Sequence, residues 1–194
     1  MITPLPAIEQ VRKDGSEPIH TSGVPLRYTL GDFWAWSTSD LVSNVTRGRF
    51  AEFLVAAALG IDLSGVRAEW DSYDLITSSG VRIEVKSAAY LQSWSQSTFS
   101  KILWRIPRTR AWDPFTNTYA SEPVRQADVY VFALLHHKDK ATLDPLDTSQ
   151  WSFFVVDASV VDAKAPTQSS ISLASLRNMV GDPVSFSALS GKIP

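Results

Sequence analysis

Cysteine is absent from the 194 residues of this chain. Its absence excludes disulfides, thiolate zinc sites and cysteine nucleophiles. Histidine is scarce as well, because His20 stands alone and His136 and His137 are adjacent, so that on a strand they point to opposite faces. A zinc site made of histidines alone is therefore poorly supported.

Long apolar runs and an excess of positive charge are also missing. No apolar run approaches the roughly 18 residues of a membrane-spanning helix, and the first 15 residues lack the pattern of a signal peptide. We therefore expect a cytoplasmic protein without membrane contact. The net charge is −2, so binding to a nucleic acid would require a local basic patch.

The first half of the chain predicts an arm, a helix and a set of short strands. Residues 1–26 are rich in proline and are interpreted as an irregular arm, and residues 27–194 as one domain. The aromatic stretch FWAW is expected to anchor its segment onto the core. A helix is predicted between a cap at Thr38 or Ser39 and a stop at Gly60. Strands are then predicted in VRAEW, DSYDLIT and VRIEVKSAAYL, with a turn at Gly80.

The second half of the chain completes an α/β pattern. ADVYVFALL is nearly continuously apolar, which is typical of a central strand covered on both faces. WSFFVVDASVV predicts another strand, SISLASLRNMV a helix with Ser172 as its cap, and DPVSFSAL an edge strand. The predicted fold is an α/β domain with a mixed central sheet flanked by helices.

Charged residues occur on one face of the strand at residues 82–90, RIEVKSAAY. Side chains alternate along a strand, so Glu84 and Lys86 lie side by side, opposite the apolar face that holds Ile83 and Val85. Burial of charge without a partner is costly. The simplest interpretation is a solvated strand face that carries a ladder of charges, including Arg82.

Asp74 favours a different interpretation of the same strand. It precedes Glu84 by ten residues across the turn at Gly80, and a hairpin of that length can place the two carboxylates together. Adjacent carboxylates repel each other and are stabilised by a divalent cation, and Mg²⁺ prefers oxygen ligands. Lys86 beside them can orient an attacking water or stabilise charge on a phosphate oxygen. Glu52, the one polar side chain in FAEFLVAAAL, can approach the same ion.

These residues resemble the core of the PD-(D/E)xK nuclease superfamily, which has a restriction-endonuclease-like fold. The resemblance rests on Glu52 in a buried helix, on YDLI, and on IEVKSAAY, and it covers roughly residues 40–90. ADVYVFALL is similar to the later central strand of that fold. The resemblance implies an Mg²⁺- or Mn²⁺-dependent nuclease that hydrolyses phosphodiester bonds, most simply in DNA, in restriction, phage defence or repair.

The resemblance also implies a role for each residue that matches the motif. Asp74 and Glu84 would be the acidic ligands, Lys86 the catalytic lysine and Glu52 the helix glutamate. The backbone carbonyl of Val85 would be a further metal ligand, and Gln92 would be a supporting polar residue near the site. Two features depart from the pattern. Tyr73 rather than proline precedes Asp74, and SAAYLQSWSQSTFSK lacks the helical period expected after the lysine.

A basic stretch offers a candidate surface for nucleic acid. KILWRIPRTRAW has no acidic residue and interleaves its basic side chains with tryptophans, in a segment broken by proline; the basic side chains are Lys101, Arg105, Arg108 and Arg110. It can equally be a solvated loop whose tryptophans pack onto the core. Arg47 and Arg49, shortly before Glu52, are secondary candidates for phosphate contacts.

Three classes of function remain open at this point. The first is the metal-dependent nuclease, the second a nucleic-acid-binding or complex-forming protein that keeps the fold without cleaving, and the third an α/β protein unrelated to nucleic acids. The sequence leaves open DNA or RNA as the substrate, endonuclease or exonuclease action, and a monomer or a homodimer. Convergence of Asp74, Glu84 and Lys86 in space separates the first two classes from the third.

Overall fold

The computed structural model describes residues 5, 8–67, 69, 71–113 and 116–193. It contains four α-helices and ten β-strands within those residues. The strands are β1 Pro18–Thr21, β2 Val24–Thr29, β3 Leu75–Ile76, β4 Arg82–Ala89, β5 Leu103–Arg105, β6 Trp112–Asp113, β7 Thr118–Tyr119, β8 Val129–Leu135, β9 Trp151–Asp157 and β10 Ser170–Ser172. The helices are α1 Leu30–Thr38, α2 Asn44–Leu59, α3 Ala158–Lys164 and α4 Leu173–Val180.

A four-stranded mixed sheet forms the centre of the fold, in the order β3-β4-β8-β9. β4 and β8 are parallel, whereas β3 pairs with β4 and β9 pairs with β8 in the antiparallel sense. β8 is buried at all seven of its residues, as expected for a strand covered on both faces. The predicted α/β class with a mixed sheet flanked by helices is confirmed.

Two apolar cores cover the two faces of this sheet. On one face, α2 packs through Ala51 and Val55 onto the strands, together with Leu189 near the C-terminus. On the other face, Trp104 of β5 packs with Val161 of α3 and Leu176 of α4. Because β4 packs against both cores, this packing fixes the face of the sheet on which each of its side chains lies.

Helix α2 confirms the strongest helix prediction but begins later than expected. It ends at Gly60, whose φ of 66° is left-handed and suits glycine. Its N-cap is Ser43, so the predicted cap at Thr38 or Ser39 is wrong. Thr38 instead ends the separate helix α1. The turn between the helices is held by Asp40, whose carboxylate accepts hydrogen bonds from two following backbone N–H groups.

The segment before α2 is more regular and more exposed than the sequence indicated. β1 and β2 form an antiparallel hairpin that begins inside the predicted arm and extends beyond its predicted end at residue 26. Residues 1–4, 6 and 7 of the arm lie outside the described residues. The expectation that FWAW anchors onto the core is wrong, since α1 has no buried residue and Trp36 is 84% exposed. A reciprocal capping box of Thr29 and Asp32 holds the helix start.

Three further predictions need correction. In VRAEW, the described residues Val66, Arg67 and Glu69 belong to no strand, and Ala68 and Trp70 lie outside the described residues. WSFFVVDASVV is a strand only as far as Asp157, and α3 follows it directly. The expected C-terminal edge strand is reduced to a single bridge between Val184 and Phe153, followed by a 3₁₀ helix.

The chain after β4 contains no helix in residues 90–113 and 116–128. The helix that the family resemblance implies after Lys86 is therefore missing from this described stretch, in agreement with the absence of a helical period there. Short strands and loops occupy the segment instead, and β5 from this region pairs with β10. None of the helices, as far as the chain is described, has the length and apolarity needed to span a membrane.

An ion pair at the start of β4 ties it to the loop before β8. Arg82 Nη2 lies 2.6 Å from Asp128 Oδ1, and Arg82 Nε donates to the other carboxylate oxygen at 3.0 Å. These bonds lower the pKa of Asp128 to about 2. The charged residues predicted on this strand face therefore form two separate ion pairs. Arg82 pairs with Asp128, and Glu84 pairs with Lys86.

Asp128→Asn is expected to destabilise the protein by about 0.5–1 kcal/mol at pH 7, because water screens a pair whose side chains are each 44% exposed. The folded-state pKa of Asp128 lies below its ordinary value of 3.8, so its contribution is present above that value and is lost as the pH falls toward 2. Urea titrations at pH 7, 4 and 2.5 measure this. Asp182→Asn is the control, since Asp182 makes no salt bridge within the described residues; a constant Asp128→Asn deficit across these pH values would contradict the pairing.

Candidate active site

The two predicted acidic residues lie opposite each other at the end of the β3–β4 pairing. Leu75 pairs with Ile83 and Ile76 with Arg82, so the same register places Asp74 opposite Glu84. The backbone N–H of Asp74 donates to Ile83 O at 3.0 Å. The backbone pairing of β3 with β4 ends here. The carboxylate of Asp74 instead accepts a hydrogen bond from the backbone N–H of Val85 at 2.7 Å.

Glu84 and Lys86 share one face of β4, as the alternation predicted. Their side chains form an ion pair and are only partly exposed, 20% for Glu84 and 31% for Lys86. Burial raises the pKa of Glu84, and the negative charge of Asp74 raises it further, whereas Lys86 opposes the shift. The two carboxylates therefore interact unfavourably, which is the condition that a bound cation relieves.

Glu52 of α2 is connected to Asp74 by Arg67, a residue that the sequence analysis did not single out. Its carboxylate accepts a hydrogen bond from Arg67 Nε at 2.5 Å, and Arg67 Nη2 lies 3.8 Å from Asp74 Oδ1. Burial raises the pKa of Glu52, the Arg67 hydrogen bond opposes this, and the Asp74 charge adds to it. Arg67 thus bridges the helix glutamate and the hairpin aspartate.

The donor set suits a hard cation held by few protein ligands. Among the described residues, no three histidine, aspartate or glutamate side chains form a group that could hold a metal ion. Mg²⁺, however, commonly binds through one or two carboxylates and completes its shell with water and substrate phosphate. Asp74 and Glu84, lying opposite each other with unfavourable charge interaction, fit that requirement.

Two clefts open beside Glu84. The larger has a volume of about 670 Å³, and Glu84, Lys86 and Arg105 are among the residues that line it. The smaller, of about 340 Å³, is lined by Asp74, Glu84 and Arg110. Glu84 therefore lies where the two clefts meet, and a basic side chain of the KILWRIPRTRAW segment borders each of them.

The basic segment divides into cleft-facing and paired residues. Arg105 and Arg110 are exposed and border the clefts, and Lys101 is also exposed. Arg108 instead forms a salt bridge at 2.8 Å with Asp162 of α3, so part of its charge is already compensated. Trp104 of the same segment belongs to the core, at 1% exposure.

Arg47 and Gln92 form an internal brace. Arg47 is only 3% exposed and donates to Val42 O and to Asn44 Oδ1, each at 2.7 Å. It also donates to Gln92 Oε1 at 3.4 Å. The suggestion that Arg47 contacts phosphates is therefore wrong, because its guanidinium is inside the protein. Gln92 does not reach Glu84 or Lys86; it supports Arg47, which positions Asn44 on the wall of the larger cleft.

Arg49 remains at the surface, where it pairs with Glu69 at 3.2 Å. Glu69 also accepts a hydrogen bond from Arg67 at 3.0 Å. This exposed pair continues the charge network that begins at Glu52. The suggested role of Arg49 in phosphate contacts stays a prediction.

The sequence analysis overlooked two side chains at the site. Arg67 is the only basic residue between Arg49 and Arg82, and this isolation among acidic residues was the available signal. Tyr130 of β8 is paired in register with Glu84 and borders the larger cleft. Burial raises the pKa of Tyr130 to about 12, and the charge of Glu84 contributes. The parallel pairing of β4 with β8 brings Tyr130 beside Glu84, and this pairing cannot be predicted from the sequence of either strand alone.

The site combines two adjacent carboxylates and a lysine with a cleft bordered by basic side chains. This arrangement is suited to phosphodiester chemistry, and comparison with known families places the chain among nucleases. Residues 26–175 match the family described as bacteriophage T4 endonuclease IV. The match covers well over half of the chain, so the chain belongs to that family. It includes Glu52, Asp74, Glu84, Lys86 and the whole basic segment. A comparison with curated proteins found no match.

Proposed function

We propose that this protein is a metal-dependent DNA endonuclease whose site is of the PD-(D/E)xK type. The observation that carries the proposal is the register of β3 and β4, which places Asp74 opposite Glu84 and next to the Glu84–Lys86 ion pair. Membership of a family named for an endonuclease supports the hydrolysis of nucleic acid.

In this proposal Asp74 and Glu84 are the principal ligands of Mg²⁺ or Mn²⁺. The Val85 carbonyl and Glu52 contribute directly or through water. The bound ion would supply positive charge for the phosphate and for the attacking water. Asp74 is held in place by the Val85 N–H, and Glu52 by Arg67, so both carboxylates are oriented before substrate arrives.

Lys86 has a separate role beside the carboxylates. Its ammonium group contacts Glu84 and faces the larger cleft. From there it orients the attacking water and stabilises the negative charge that grows on the phosphate oxygens. Arg105 and Arg110, on the rims of the two clefts, are placed to hold neighbouring phosphates, and the exposed Lys101 extends this basic surface.

Incubation with circular DNA tests the proposal. We expect nicking or linearisation of circular single-stranded or duplex DNA with Mg²⁺ or Mn²⁺, and none with EDTA. Closed circles have no ends, so their cleavage identifies endonuclease action, and a parallel RNA substrate tests the sugar preference.

Glu84→Gln protein purified in the same way is the matched control for contaminating nucleases, because glutamine keeps the shape of the side chain and removes its charge. Equal cleavage by this variant, or cleavage that persists in EDTA, would place the activity elsewhere.

A further inference from the structure

We infer that Trp112 and Tyr119 form a platform that stacks on a nucleobase next to the scissile phosphate. This inference rests on the proposed nuclease function and adds a binding site to it. The two residues are directly opposite each other in the β6–β7 hairpin. Their ring centroids are 4.7 Å apart with the planes inclined at 56°. Both line the 340 Å³ cleft that also contains Asp74, Glu84 and Arg110.

Both rings lie in a cleft at the protein surface rather than in the apolar interior. Trp104, in the same basic segment, is 1% exposed and packs against Phe132 and Phe154. Trp112 and Tyr119 belong to neither of the two apolar cores, and Tyr119 is 68% exposed. Solvent-facing rings in a concave surface are typical of ligand sites rather than of packing.

The lining of the cleft restricts the chemistry of its occupant. Aromatic faces favour a flat ring, and the exposed Arg110 favours an anion. The lining also holds four acidic side chains, those of Glu69, Asp71, Asp74 and Glu84, so an anion in this cleft would have to lie at Arg110. An apolar ligand would leave Arg110 without a partner, and a simple anion would leave the rings unused. A nucleotide satisfies both, with its base against Trp112 and Tyr119 and its phosphate toward Arg110. The volume of about 340 Å³ lies at the small end of ligand pockets, which suits a single nucleotide unit.

Stacking on a protein ring requires a base whose face is uncovered. Such a base comes either from a single strand or from a duplex nucleotide that is flipped out, and the cleft would recognise the same ring in both cases. The rings share the cleft with Asp74 and Glu84, so the stacked base would belong to a nucleotide adjacent to the bond that is cut. The platform would thereby set the position of the strand relative to Lys86.

Binding of fluorescein-labelled DNA in EDTA, where the proposed cleavage does not occur, tests the platform. The variants are Trp112→Leu and Tyr119→Leu, which keep apolar bulk but remove the aromatic face. Base–aromatic stacking is worth about 1–3 kcal/mol, so we expect the Kd to rise by roughly 5- to 150-fold. Trp36→Ala is the matched control, because Trp36 is an exposed aromatic residue on α1 that lines neither cleft, and its Kd should be unchanged.

Substrates with one abasic position give a readout that a structural role of the rings would not affect. Scanning the abasic position along an oligonucleotide should identify one site, close to the cut, where removal of the base weakens wild-type binding. At that site Trp112→Leu should cause no additional loss. Single-stranded and duplex versions of the scan show which source supplies the uncovered base.

The outcomes separate the platform from the nuclease proposal. Wild-type cleavage together with unchanged binding by both leucine variants would overturn the platform alone. Additive losses at every abasic position would do the same, because the rings would then act independently of any base. Failure of the wild-type protein to bind or cut any DNA would overturn both proposals.

Discussion

Lys86→Ala is expected to lower the rate of DNA cleavage by about 10²- to 10⁴-fold, the range for loss of a positioned catalytic group. Lys86 contacts Glu84 and borders the larger cleft, so in the proposed mechanism alanine removes the cation beside the reacting phosphate. It also removes the charge that opposes the raised pKa of Glu84. Cleavage is measured under single-turnover conditions in Mg²⁺, and circular dichroism checks that the fold is retained.

Two comparison variants make this result specific. Lys192→Ala removes an exposed lysine near the C-terminus and should cleave like the wild type. Asp74→Asn keeps an oxygen that accepts the Val85 N–H but loses the negative charge. By calorimetry, we expect Mn²⁺ binding to weaken in Asp74→Asn and to persist in Lys86→Ala. Full cleavage by folded Lys86→Ala protein would remove the catalytic assignment of the lysine.

Trp104→Ala is expected to destabilise the fold by about 3–5 kcal/mol, the range for deletion of a buried aromatic side chain. Its ring lies 5.5 Å from that of Phe132 and 6.4 Å from that of Phe154. Its indole N–H donates to the Ala133 carbonyl at 3.4 Å. Alanine would leave a cavity between β5 and the central strands, and urea unfolding monitored by circular dichroism measures the change in free energy.

Trp36→Ala provides the comparison for this change in stability. Trp36 is 84% exposed, so its removal should alter the free energy of unfolding by no more than about 0.5 kcal/mol. Trp104→Ala should also weaken DNA binding at temperatures where it is folded, because Trp104 holds the strand that presents Arg105 to the cleft. Equal stability of the two variants would show that β5 does not depend on its buried tryptophan.

The centre of the candidate site was accessible from local sequence patterns. Alternation along β4 separates Glu84 and Lys86 from the buried Ile83 and Val85, because successive side chains of a strand face opposite ways. The turn at Gly80, where φ is +88°, determines the hairpin register that brings Asp74 opposite Glu84. Both features depend on residues close together in the chain.

The surroundings of the site were not accessible in that way. Arg47 and Arg49 are two residues apart on one helix, yet Arg47 is buried against Gln92 and Arg49 is exposed beside Glu69. Arg47 also bonds to the nearby Val42 and Asn44, but Gln92 and Glu69, which separate the two surroundings, lie 45 and 20 positions away in the sequence. The same holds for the division of the basic segment, in which Arg108 pairs with Asp162 of α3.

The sequence by itself determined the α/β class, the helix with Glu52, the buried central strand and the face of β4 that carries the charges. These follow from periodicity and turn residues, which act over a few neighbouring positions. Only the tertiary structure decided that Arg67 joins Glu52 to Asp74, that Tyr130 lies beside Glu84, and that the rings of the β6–β7 hairpin open into the same cleft. Such contacts depend on how distant segments pack together, and no local pattern records that packing.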